Sequence, residues 1–131
     1  MLVKVVVRPN SDGWWAEVTD LPGCYSHGDT LEELKTNLNE AIILHAEGLL
    51  EDGNEDAGIY LVHELEYDIK VNVQELFEKL PIPVTGIAER AHINRSLLAQ
   101  YKKGRTMSED QAVKIFTAIK EVGKELSALP L

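Results

Sequence analysis

Arg90, Arg95, Lys102, Lys103 and Arg105 fall between residues 90 and 105 with no acid among them. Guanidinium and ammonium groups gathered like this bind phosphate even when the rest of a chain is acidic. Asn94, Ser96 and Gln100 are interleaved with them. On a helix lying in the major groove of double-stranded DNA, Arg95 and Gln100 would reach base edges, since a guanidinium suits guanine and a carboxamide suits adenine. Lys103 would face outward with them, and Lys102, Arg105 and the amino end of the helix would sit on phosphates. The rest of the chain offers little for catalysis. His27, His45, His63 and His92 are scattered without metal-ligand spacing. Cys24 has no histidine partner in its neighbourhood, which suits a buried structural thiol better than a nucleophile. Asp12, Glu17 and Asp20 read more simply as a solvated surface than as a metal cluster. No glycine-rich phosphate loop occurs, so the chain is expected to be no enzyme and to need no metal or cofactor.

The basic residues need a helical scaffold, and the second half of the chain supplies one. After Val71 the hydrophobic period changes from two to about 3.6. Asn72 can cap a helix over 73–80, and Pro81 and Pro83 end it and start the next, over 84–91. A third helix covers 95–103, with Asn94 as its cap and Gly104 ending it. Ser108 caps a fourth, reaching about Ala128. Small Ala88 lets two helices approach closely, Ile93 plugs the gap between them, and Leu98 and Tyr101 anchor the third helix to the core. A plain helical hairpin with a solvated basic face would share much of this pattern.

The first half alternates differently. Val3, Val5 and Val7 share one face of a strand over 2–8, and Asn10-Ser11-Asp12-Gly13 turns the chain. In a second strand, 14–19, Trp14, Ala16 and Val18 face one way and Trp15 and Glu17 the other. Leu21-Pro22-Gly23 interrupts, and Cys24–His27 forms a short third strand. Thr30 and Glu33 have capping-box spacing before a helix running to about Leu50, with Leu31, Leu34, Leu38, Ala41, Ile42, His45 and Leu49 as its apolar stripe. Leu65, Tyr67, Ile69 and Val71 alternate in a last strand. The fold class is therefore α+β, with a βββαβ domain over 1–71 and an all-α domain over 72–131.

The chain of 131 residues carries a net charge of −9, unevenly divided. Residues 1–71 hold four Lys and Arg against fifteen Asp and Glu, a net −11, and residues 72–131 hold nine against seven, a net +2. The acidic half would repel nucleic acid and suits a basic protein partner. Trp15 beside Glu17 on an outward face, with Asp20 nearby, marks a candidate partner surface; a covering helix or second subunit would instead make Trp15 ordinary packing. One cysteine, no apolar run of membrane-spanning length and a charged start predict a cytoplasmic protein. Each half is near the lower limit for folding alone, so oligomerisation would help both.

Two resemblances sharpen this reading. The run Ile87-Ala88, Ile93-Asn94, Leu98 and Gly104 resembles the helix-turn-helix of the Xre/Cro repressor family. His92 stands where that family usually has Gly in the turn, and Val84 where it often has Gln. In the first half, Gly13-Trp14-Trp15-Ala16-Glu17-Val18, Asp20-Leu21-Pro22-Gly23-Cys24 and Gly28-Asp29-Thr30-Leu31-Glu32-Glu33-Leu34 form an ordered set similar to that of HicB-type antitoxins. That resemblance implies a truncated ribonuclease-H-like fold, a small basic HicA-type ribonuclease toxin as partner, and repression of the shared operon through operator DNA. The first strand, Leu2–Arg8, lacks the acid that nuclease catalysis in that fold uses. A stand-alone transcription regulator, whose first domain binds a small ligand or only dimerises, would account for the same residues.

Overall fold

The computed structural model describes residues 1–130, which divide into two compact units, Met1–Lys70 and the part that follows from Val71. The class is α+β. In the first unit, strands β1 (Leu2–Asn10), β2 (Gly13–Val18) and β3 (Tyr25–Gly28) precede helix α1 (Leu31–Glu51), a 3₁₀ turn (Glu55–Gly58), the single-turn helix α2 (Ile59–Val62) and strand β4 (Glu66–Val71). The order across the sheet is β3-β2-β1-β4. Strands β1 and β2 are antiparallel, with Val5 opposite Val18, Val7 opposite Ala16 and Arg8 opposite Trp15. Met1 bonds to residues on both sides of Leu65, its amino group donating to the Glu64 carbonyl at 2.8 Å and its carbonyl accepting from the Glu66 N–H at 2.9 Å, which is the parallel pattern and sets the starts of β1 and β4 side by side.

Side chains alternate across the pleat, so one face of the sheet is buried and the other is open. Val3, Val5, Val7, Ala16, Val18, Ile69 and Val71 are buried, as are Leu34, Leu38, Ile42 and Ala46 on α1. Thr30 Oγ1 accepts from the Glu33 N–H at 3.1 Å and caps α1. Gly28 lies where the sheet and this helix start meet. A Cβ there would stand 2.4 Å from the Leu34 backbone nitrogen and 2.7 Å from its Cα.

Three sequence expectations are corrected. The third strand begins at Tyr25 rather than Cys24; Cys24 is instead buried, and its carbonyl accepts from the Val18 N–H at 3.1 Å. The buried stripe of α1 follows i, i+4 spacing to Ala46, which leaves His45 on the flank and half-buried rather than in the core. The 3₁₀ turn and α2 were not expected, because elements of four residues are too short to show a period.

The second unit contains α3 (Gln74–Lys79), α4 (Val84–Ala91), α5 (Arg95–Lys102), the two-residue strand β5 (Met107–Ser108) and α6 (Glu109–Ser127). Asn72 Oδ1 accepts from the Gln74 N–H at 3.0 Å at the start of α3. Phe77, Ile87, Ala88, Leu98, Tyr101 and Ile115 are buried together with Val73, Ala112 and Ala118. Arg90 of α4 forms an ion pair with Glu125 of α6. Ser108 Oγ accepts from the Gln111 N–H at 3.2 Å and caps α6.

Candidate functional site

Helices α4 and α5 are joined by a turn built on His92, whose φ of 55° and ψ of 43° are left-handed. Few residues other than Gly take that conformation readily, and His is among those enriched there. The turn closes with the Ile93 N–H on the Ala88 carbonyl at 3.0 Å. Asn94 then caps α5, its Oδ1 accepting from the Ser96 N–H at 2.8 Å and from the Leu97 N–H at 3.4 Å. Leu98 and Tyr101 hold one side of α5 in the core, and Ile93 is half-buried.

The opposite side of α5 is open. Asn94, Arg95, Ser96, Gln100, Lys102 and Lys103 are all exposed, and Arg105 is exposed just beyond. Arg95, Ser96, Lys102 and Lys103 line a hollow of about 650 Å³ together with Ala99, Val84, Gln74 and Glu78. Gln74 and Glu78 were not singled out from the sequence. They come from α3, and only the folded unit brings them alongside α5. Their mutual bond, Gln74 Nε2 to Glu78 Oε1 at 3.2 Å, sets a carboxylate at the edge of an otherwise basic surface. Gln100 and Arg105, expected on different targets, are bonded to each other: Arg105 Nη1 donates to Gln100 Oε1 at 2.5 Å.

A second surface lies on the open face of the first unit's sheet. Trp15 is 47% exposed and Tyr25 60% exposed. The strand register puts Trp15 between Arg8 and His27, and Glu17 opposite Tyr25. The Trp15 and His27 ring centroids are 4.4 Å apart and tilted by 48°. Arg8 and Glu17 form an exposed ion pair at 3.6 Å. Arg8, Trp15, Ala16, Glu17 and Tyr25 line a hollow of about 390 Å³. Trp15 and Glu17 are therefore brought together. Asp20 is not: it is exposed in the turn after β2, and its charge, after burial, helps to raise the Tyr60 phenol above its ordinary value. Tyr25, His27 and Arg8 escaped sequence reasoning because their shared face depends on the pairing register of β1, β2 and β3.

Among the described residues no three His, Cys, Asp or Glu side chains gather to hold a metal ion, and no helix is long and apolar enough to cross a membrane. Burial pushes the Cys24 thiol above its ordinary value, so it is a poor nucleophile at neutral pH.

A family model described as a HicB-like antitoxin of bacterial toxin-antitoxin systems matches residues 3–70. Over 55 residues the chain is 47% identical to an uncharacterized 14.9 kDa protein of the rep-hol intergenic region of Haemophilus phage HP1; the match covers 42% of this chain and 41% of that protein. Over 51 residues it is 37% identical to a UPF0150 protein of Synechocystis, covering 39% of this chain and 71% of that one. The βββαβ unit with its open aromatic face thus falls within the matched stretch, and the chain belongs to the HicB-like antitoxin family of bacterial toxin-antitoxin systems.

Proposed function

We propose that this protein neutralises a small basic HicA-type ribonuclease through its first unit and represses its own operon through its second, which reads operator DNA as an Xre/Cro-type helix-turn-helix. Membership in an antitoxin family implies a toxin partner in general, and such families generally perform no catalysis. The observation that carries the finer reading is the division of surfaces within one chain. An apolar, aromatic hollow lies in a unit of net −11, whereas an exposed basic helix face lies in the unit that follows. Negative charge on the first unit would speed capture of a cationic protein. Basic groups on a helix anchored by Leu98 and Tyr101 match what a major groove accepts. Domains at 1–71 and 72–131 and a homodimer or homotetramer complete the proposal, since a two-fold operator is read by two copies.

Co-expression tests it. The tagged chain is produced with its neighbouring reading frames, and the eluted complex is weighed. A stable complex with a small basic protein that is toxic alone supports the antitoxin role. Elution alone, with a shift of the chain's own promoter DNA, leaves only the repressor. Elution alone with no shift of promoter DNA overturns both halves of the proposal.

A further inference from the structure

The carboxyl end of α5 folds back on itself. The Lys103 and Arg105 N–H groups both donate to the Gln100 carbonyl at 3.1 Å, and the Gly104 N–H donates to the Tyr101 carbonyl at 3.0 Å. Gly104 makes this possible with a φ of +110°, a conformation that side-chain-bearing residues rarely adopt. The turn returns Arg105 to Gln100, where its Nη1 donates to Gln100 Oε1 at 2.5 Å. A guanidinium can only donate, so the carboxamide atom facing it is the oxygen and the NH₂ is directed away. Gln100 is thereby presented to solvent as a hydrogen-bond donor.

That orientation has a consequence for base recognition. A free carboxamide matches adenine, giving a hydrogen to N7 and taking one from N6. With a guanidinium on one lone pair of the oxygen, an adenine N6 amino group arriving at the other would meet donors beside it, whereas the free NH₂ can give its two hydrogens to guanine N7 and O6, which lie side by side. We propose that Arg105 is a positioning residue that commits Gln100 to donating, so that each bound chain reads guanine rather than adenine at the Gln100 position. This rests on the DNA-reading function proposed above. Lys102 and Lys103 remain for the phosphates, and Arg105 turns one of its five donors to Gln100.

The test is selection from a randomised duplex library at fixed salt, using the full chain and its Arg105→Ala and Gln100→Ala variants. Both side chains are exposed, and a thermal melt checks that each variant stays folded. Wild type is expected to enrich guanine about tenfold over adenine at one base pair. Arg105→Ala is expected to shift that pair towards adenine with neighbouring preferences kept, and Gln100→Ala to erase the preference there. Two results overturn the assignment: enrichment of adenine by the wild type, or an Arg105→Ala variant with unchanged base preference, lower affinity for every duplex and a shallower salt dependence. Should the folded wild type enrich no sequence at all, the DNA-reading function falls, and this inference with it.

Discussion

Truncating Trp15 to alanine should weaken toxin capture by about two orders of magnitude. The ring is 47% exposed on the open sheet face. A full tryptophan side chain contributes about 250 Å² of contact surface. Roughly 120 Å² therefore remains for a partner to cover, which at ~25 cal/mol per Å² is worth about 3 kcal/mol, or on the order of 100-fold in Kd. A partner covering only half of that area would still leave about a tenfold loss. On the folding side the variant loses the tilted contact with His27 and the roughly 130 Å² of side chain that the fold already covers, so its melting temperature is expected to fall as well. The assay is calorimetric titration of the co-purified toxin into wild-type, Trp15→Ala and Trp15→Phe proteins, each first checked by thermal melting. Trp15→Phe should recover most of the affinity, because it restores an apolar ring at the wall of the hollow. A Trp15→Ala loss of less than threefold, in a protein still folded at the titration temperature, would refute the placement of the toxin on this face.

Three further outcomes follow from the same geometry. Asn94→Ala removes the cap that accepts from Ser96 and Leu97, and should cost about 1 kcal/mol and roughly 4–8 °C in melting temperature, whereas Asn94→Asp should melt close to wild type. Arg95→Ala, at an exposed position on a helix anchored elsewhere, should leave melting unchanged and weaken operator binding by about 1–3 kcal/mol with relaxed preference at one base pair; unchanged affinity in a gel-shift titration counts against the role. Burial raises the Cys24 thiol and the Tyr60 and Tyr67 phenols, so the folded state favours their neutral forms. The resulting stability is fully present below the unfolded values and is lost as pH rises through the folded ones. Urea midpoints should fall across the alkaline range, and Cys24→Ala should make that fall shallower; an equally steep fall in the variant would remove Cys24 from the account.

What could be read from residue order was local and periodic. The alternation of Val3, Val5 and Val7, the Thr30 and Asn94 caps, and the left-handed turn at His92 each depend on neighbours within a few residues. So did the outward phase of Trp15, which follows from the buried Ala16 and Val18 beside it. What escaped depends on pairing between distant segments. Tyr25 becomes a neighbour of Glu17 only through the β2–β3 register, and Gln74 and Glu78 reach α5 only once α3 is docked. The Gln100–Arg105 bond escaped for another reason: both residues were assigned to DNA separately, and the backward fold at Gly104 that joins them has no sequence period. The shift from His45 to Ala46 on α1 marks how a stripe that is ambiguous by one residue is resolved by packing rather than by pattern.

The tight meeting of sheet and helix at Gly28 has a consequence in the language of heredity. Every missense change in that codon adds a Cβ, and the Leu34 backbone at 2.4 Å offers no flexible side chain to move aside. The position therefore has no mild allele. In a cell that also makes the toxin, a lineage carrying any such change would be left without its restraint. Gly28 variants should be missing among survivors of random mutagenesis of this gene, and should reappear when the toxin gene is deleted beside it.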